Sequence, residues 1–343
     1  MSRSRLILLL CLPLLVFALV AGWIAWTERN PELERELRVS VQEQLEEWFP
    51  EAMSLPPELI GFHRHQAFSV RSHPDLVLVH GLDEPGGVWD ETVAALAEFG
   101  LEAWEFRYPN DQAIDHSADL LAEHWEALDP EQPVVLVGHS MGGLVIRDFV
   151  SRWRHPVDGS GGVSGPPIQG VILVATPNQG SAWARFRAWL ELREWVADIP
   201  EGRFSLFAGL RDGTGAAKID LRPDSRFLTE LNARAWPSAV PIMIIGGQLS
   251  EPTPAMLAGL DELADELGVP DLRMRVEDWW QETGEDLGDG AVAVASLHLE
   301  AGPEPIILSA SHRGLLVSLP LSDGDPPAIE WIVDQVRAWR GAD

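Results

Sequence analysis

Val134-Val-Leu-Val-Gly-His-Ser-Met-Gly-Gly143 decides how the chain is read. Four apolar residues with β propensity run into Gly138-His139-Ser140-Met141-Gly142, a G-x-S-x-G pattern, and an apolar helix-like stretch follows. A strand that stops in a tight turn and restarts as a helix holds one side chain in a strained, exposed position. The flanking glycines suit such a turn, because a Cβ there would meet the neighbouring strand and helix. Ser140 is the side chain held up, with His139 as the x residue pointing away to pack. The pattern alone is weak; between a β run and a helix it marks Ser140 as a candidate nucleophile.

Around this turn, short β-rich runs alternate with helical stretches. The runs are residues 76–79, 103–106, 134–137, 171–175, 242–245 and 306–308, and amphipathic segments at 92–99 and 118–128 lie between them. The alternation predicts an α/β fold: a mostly parallel central sheet with helices on both faces. In such sheets ligands bind beyond the carboxyl ends of strands. Two stretches interrupt it. Residues 181–238 begin with an apolar face that includes Trp183, Phe186, Trp189 and Trp195, which reads as a helical cap over the serine. Trp183 and Trp189 are the candidate substrate contacts. Residues 250–287 form a second, acidic insertion.

A serine hydroxyl needs a base, normally a histidine that a buried carboxylate holds. Of ten histidines, His312 follows the final β run in a loop that can reach a central strand's turn. His80 belongs to a Val-His-Gly turn and orients that loop. The expected acid is Asp289, in Gly288-Asp-Gly-Ala-Val292, giving the order Ser, Asp, His. Asp286 and Glu251 are its rivals. A developing oxyanion needs two preorganised N–H donors. Met141, at the start of the helix, is expected to supply one backbone donor, and Leu82, after Val79-His80-Gly81, the other.

Composition bounds the partners. The net charge is −28, from 53 acidic and 25 basic residues, and Lys218 is the sole lysine. This excludes a general nucleic-acid binder, which needs a basic surface, and argues against electrostatic docking on anionic lipid. The single cysteine, Cys11, leaves no disulfide framework and no cysteine metal site. No cofactor is implied, and a monomer is expected.

At the N-terminus, Arg3 and Arg5 precede a 21-residue apolar run from Leu6 to Trp26, close to the roughly 20 residues a helix needs to span a bilayer. With Trp23 and Trp26 at its far end, residues 1–27 read as a signal anchor that leaves the rest of the chain outside the cytoplasm. Cleavage, for instance after Ala21, is the alternative and would give a secreted form. Residues 28–73 read as a helical stalk and linker, and 74–343 as the main domain. Within the stalk, Leu33, Leu37, Val41, Leu45 and Trp48 recur every three or four residues. Glutamates fill the other face, which argues against a lipid-binding helix.

Several motifs in order resemble the α/β-hydrolases of the bacterial lipase and esterase type, including triacylglycerol lipases and inositol-deacylase-like proteins. They are Val79-His-Gly-Leu82, Gly138-His-Ser-Met-Gly-Gly143, Ala175-Thr-Pro-Asn-Gln-Gly-Ser181, Asp220-Leu with Ser225-Arg-Phe-Leu and Leu231-Asn232, Asp289-Gly-Ala-Val292 and Ser311-His312. The resemblance spans about 75–317. It implies an α/β-hydrolase fold, an acyl-enzyme mechanism and Asp289 as the triad acid; His298 matches a histidine of those lipases that is not their catalytic base. The secreted lipases of that group carry calcium beside an aspartate following the histidine; here Arg313-Gly314 follows, so no metal is carried over. The expected activity is hydrolysis of a lipophilic carboxylic ester next to a membrane. Acyl transfer, an amidase or peptidase activity, and a non-catalytic envelope protein that binds or helps fold a partner are the alternatives.

Overall fold

The computed structural model describes residues 22–23, 25–65, 71–82, 87–156, 159, 162–181, 213–249, short pieces of 258–275, 287–319 and 324–341. Trp183, Trp189, Glu251, Asp286 and most of both insertions lie outside the described residues, as does the apolar run up to residue 21.

Seven strands form one sheet in the order β1-β3-β2-β4-β5-β6-β7. They are β1 Gly61–Arg64, β2 Leu76–Val79, β3 Ala103–Arg107, β4 Val134–His139, β5 Ile168–Val174, β6 Ile242–Gln248 and β7 Ile306–Ser309. All neighbours are parallel except β1, which runs antiparallel to β3 at the edge. Residues 61–64, assigned from sequence to the linker, are therefore part of the sheet. Gly-Phe-His-Arg has no apolar run, because an edge strand needs only one buried side chain to pair; Phe62 packs against Phe106 at 5.4 Å between rings.

Side chains alternate across each strand, and the strands sort their residues into two cores accordingly. Val77, Val79, Leu136, Val171 and Leu173 face one cluster with Leu121, Trp125, Leu144 and Phe149. Leu76, Leu78, Val135, Val137, Ile172 and Val174 face the other, with Leu96, Ile332 and Val336. The covering helices are α2 Asp90–Glu98, α3 Ile114–Trp125, α4 Met141–Asp148, which runs on as a π-helical turn Phe149–Arg154, and α7 Pro327–Arg340. Both faces of β2, β4 and β5 are buried, so these strands read as continuous apolar runs.

Chain order reverses between β2 and β4: β3 lies on one side of β2, and β4 returns to the other. The loops after β2 and β4 therefore diverge and open a crevice at the strands' carboxyl ends. His80-Gly81-Leu82 and Ser140 sit there.

The stalk helix α1, Pro31–Trp48, packs on the body, and it does so through polar side chains. Arg35 pairs with Asp220 at 2.5 Å and with Asp115 at 2.8 Å. Arg38 donates to the Thr214 carbonyl, and the Thr214 hydroxyl donates to the Arg38 carbonyl at 2.8 Å. Asp220 ends α5, Ala216–Asp220, and also accepts the Ile114 N–H that opens α3, at 2.9 Å. α1 thus ties residues 214–220 to the main domain.

Asp220 is wholly buried, and desolvation pushes its carboxyl up to about 6 from 3.8 despite the pull of Arg35. The folded state then binds the Asp220 proton more readily than the unfolded chain. Its contribution to stability is full below the unfolded value and lost as pH rises through about 6. Arg35→Ala strands a buried carboxylate, so it should cost ~3–5 kcal/mol in urea unfolding at neutral pH. The deficit should shrink at pH 5, where Asp220 is free to take a proton.

Candidate active site

The turn after β4 is held from both sides. Ser140 has φ 54° and ψ −127°, a left-handed region that side-chain-bearing residues rarely enter. Its N–H donates to the Val174 carbonyl of β5 at 2.8 Å, and its carbonyl accepts from Gly143 at 3.1 Å. A Cβ on Gly142 would stand 2.2 Å from the Val79 carbonyl oxygen, and one on Gly138 2.6 Å from the Gly143 Cα. Only glycine lets α4 start this close to β2 and β4. The sequence reading of the flanking glycines holds at atomic scale.

Gly81 brings the β2 loop against the same serine: a Cβ there would lie 2.8 Å from the Ser140 Cβ. Leu82 follows at the crevice, partly buried against the core. Met141 is the first residue of α4, whose opening N–H groups have no partner within the helix ladder. Gly81, which precedes Leu82, and Met141 thus approach Ser140 from two sides. His80 stacks on Tyr108 with ring centroids 4.4 Å apart, and the Tyr108 hydroxyl donates to the His80 carbonyl at 2.6 Å. Burial holds the His80 imidazole below its ordinary value, so it serves this loop as a neutral spacer.

His312 and Asp289 meet from different loops. His312 Nδ1 lies 2.8 Å from Asp289 Oδ2. The other carboxylate oxygen accepts the N–H groups of Ala291 and Val292 at 2.9 and 2.7 Å. The backbones join too, His312 N–H donating to the Asp289 carbonyl at 2.9 Å. Asp289 is buried, and a side chain on Gly247 at the end of β6 would touch its Cβ at 2.8 Å. An ionised carboxylate only accepts, so the proton of a neutral His312 sits on Nδ1 and Nε2 is left as an acceptor.

His139 does more than pack away from the turn. It is buried edge-on to Trp89, its ring centroid lies 4.7 Å from that of His312, and its Nε2 is 3.2 Å from the His312 carbonyl. Burial, and then the neighbouring His312, keeps it well below the ordinary histidine value. A carbonyl can only accept, so His139 donates from Nε2 and props the His312 loop over the elbow. His298 is exposed, and its carbonyl accepts from Gln179 at 3.1 Å; it stands outside the His312–Asp289 pair.

One charged residue of this region escaped the sequence reading. Arg147, buried in α4, donates to Asn178 Oδ1 at 3.0 Å and Asn232 Oδ1 at 2.8 Å. Asn178 in turn donates to the Leu297 carbonyl at 2.7 Å, and Asn232 to the Asn178 carbonyl at 2.9 Å. Desolvation, then Arg234, pushes the Arg147 guanidinium down to about 9. The network locks the elbow helix to the 176–181 loop and to α6, Arg226–Asn232. Ser181 Oγ donates to the Ala291 carbonyl at 2.6 Å, which ties the same loop to the Asp289 turn. The signal was present as the charged pair Arg147-Asp148 closing the apolar run after Ser140, together with the asparagines of the Thr-Pro-Asn and Leu-Asn motifs. A cavity of about 520 Å3 between residues 50–55 and α3, lined by Met53, Leu55, His116 and Asp119 among others, contains none of these groups.

The sequence matches the alpha/beta hydrolase family over residues 76–343. The chain belongs to that family. A pimeloyl-[acyl-carrier protein] methyl ester esterase of Vibrio atlanticus is 38% identical over 89 residues, which is 23% of this chain and 34% of that esterase. The chain thus spans about a third of that relative's length. The Staphylococcus hyicus lipase superposes with a TM-score of 0.50 at 12% identity, covering 80% of this chain and 99% of the lipase. A metagenomic carboxyl esterase gives 0.49 at 17% identity, over 80% and 77% of the two chains. These likenesses concern the fold.

Asp289→Asn keeps the shape but removes the negative charge and lets an amide N–H face Nδ1. Hydrolytic turnover should fall by on the order of 10⁴ in kcat, with the urea midpoint nearly unchanged; the two are read from steady-state assays and denaturation curves.

Proposed function

We propose that this protein is a serine hydrolase of carboxylic esters. The observation that supports it most is the 2.8 Å pair of His312 Nδ1 and buried Asp289, with the His312 ring set on His139, the residue beside Ser140. Family membership agrees with it. In this reading His312 Nε2 takes the Ser140 proton as Oγ attacks the ester carbonyl. Asp289 holds the imidazole in the reactive tautomer and offsets the charge of the imidazolium. The N–H groups of Leu82 and Met141 stabilise the oxyanion. His312 gives its proton to the departing alcohol, leaving an acyl group on Ser140. A water molecule, deprotonated by the same nitrogen, then releases the acid and restores the serine.

The strained elbow serves this chemistry by holding Oγ clear of its own backbone, so no side-chain rearrangement precedes attack. The Trp-rich stretch after Ser181 favours a lipophilic acyl group. The 21-residue apolar run ending at Trp26 supports placement beside a membrane, with the domain outside the cytoplasm. Among the described residues, no helix is long and apolar enough to cross a membrane; most of that run lies outside them.

A fluorophosphonate probe should label the wild-type chain at Ser140 and leave Ser140→Ala unlabelled. The same variant should lose hydrolysis of a p-nitrophenyl ester by on the order of 10⁶ in kcat. Retained turnover in Ser140→Ala would refute the nucleophile, and absence of labelling in the wild type would refute the enzyme.

A further inference from the structure

Helix α1 turns its apolar row away from the protein. An amphipathic helix on a globular domain normally buries that row. Here Glu34 and Gln42 are buried, whereas Leu33, Leu37, Val41 and Trp48 are 54%, 45%, 38% and 65% exposed. At about 100° per residue these four side chains share one side of the helix, in a sector roughly 80° wide. The inverted docking follows from the ion pairs of the other face. Arg35 reaches Asp220 and Asp115, Glu34 pairs with Arg38 at 2.8 Å and with Arg222 at 3.8 Å, and Thr214 is bonded to Arg38 in both directions. The charges that made the helix look too anionic for lipid are in part neutralised against the domain. The apolar row is left facing out.

What lies beside that row in the chain identifies its occupant. α1 starts five residues after Trp26, where the apolar run from Leu6 ends. Residues 25–29 are already helical, and Asn30, at φ −135° and ψ 54°, separates them from α1. Trp23, 47% exposed, packs on Trp26 with ring centroids 5.3 Å apart. A run long enough to span a bilayer, closed by two tryptophans, delivers the next helix at headgroup level. A helix with leucine, valine and tryptophan on one side and charge on the others lies flat in that boundary. Its exposed acids Glu36, Glu43, Glu46 and Glu47 lie outside that sector, and Arg35 and Arg38 are engaged by the body. The compatible lipid is therefore zwitterionic rather than anionic, in keeping with the net charge of −28.

We propose that the Leu33–Leu37–Val41–Trp48 row of α1 is a lipid-contact surface that lies in the headgroup boundary of a zwitterionic bilayer. The proposal rests on the membrane placement given above. Because Arg35 and Arg38 grip residues 214–220, this contact would also fix how the end of the cap insertion sits relative to the membrane.

The test uses the full chain in phosphatidylcholine vesicles, with Cys11→Ser as background and single cysteines Trp23→Cys, Leu37→Cys, Val41→Cys and Glu43→Cys. Each is labelled with an environment-sensitive nitrobenzoxadiazole dye and quenched by doxyl-labelled phosphatidylcholine. Dyes at 37 and 41 should be blue-shifted and quenched several-fold more strongly than the dye at 43. If those at 37 and 41 behave like the one at 43 while the one at 23 is quenched, the anchor stands and the lipid surface falls. Quenching at 37 and 41 without quenching at 23 keeps the surface and removes the anchor. Blue-shifted emission at 37 and 41 that doxyl lipid does not touch means that protein covers the row, which also overturns the proposal. As a second readout, Leu37→Glu with Val41→Glu should lower turnover of a vesicle-held ester several-fold and leave that of a soluble p-nitrophenyl ester unchanged. Equal turnover of the vesicle-held ester by the double variant and the wild type would count against the surface.

Discussion

Ser140 is held at φ 54°, a conformation that costs ~1–3 kcal/mol at a residue with a side chain. The strain persists because neighbours on three sides leave the chain no other path. β4 is bonded to β2 and β5 along its length, so the strand cannot shift. α4 must start at once to bury Leu144, Val145 and Ile146. Gly142 sits so close to the Val79 carbonyl that the turn can only be made tightly. The fold thus supplies the energy that keeps one hydroxyl raised, and the loops after β2, β5 and β7 are arranged around it.

Buried polar contacts then hold those loops in register. Arg147 reaches two asparagine oxygens instead of a carboxylate, a weaker partnership for a buried cation, and desolvation, followed by Arg234, lowers its pKa. In return one guanidinium spans the elbow helix, the 176–181 loop and α6. The Asp289 turn is bonded through Ser181 to the same loop and through two N–H groups to itself. The bonds such a network makes rigidify it, and of the Arg147 guanidinium only the buried Nε is without a partner among the described residues. Rigidity here is useful, because a misplaced base loses the benefit of proximity. At the periphery, Arg35 and Asp220 do the equivalent for α1 and residues 214–220.

The strands that line both cores were legible because burial on both faces writes them as unbroken apolar runs. β1 was not, since an edge strand buries one face and is stabilised by backbone bonds to β3 that leave no side-chain signature. For α1 the periodicity was correct, but its direction was not written in the sequence. The apolar row suggests which side should be buried; the partners of Glu34, Arg35 and Arg38 lie up to 188 residues away, at Arg222, and decided otherwise.

The elbow belongs to the sequence: a β run, two small residues at fixed offsets from a serine, and a helix are local features whose geometry follows from sterics alone. Asp289 and His312 were identifiable as residue types after later strands, in the expected order. That they meet at 2.8 Å, that His139 props His312, and that Arg147 locks the elbow are outcomes of tertiary structure. They depend on the order in which β4, β5, β6 and β7 stand side by side. Strand order brings distant loops to one end of the sheet, and it is set by packing and chain crossover rather than by any local pattern of residues.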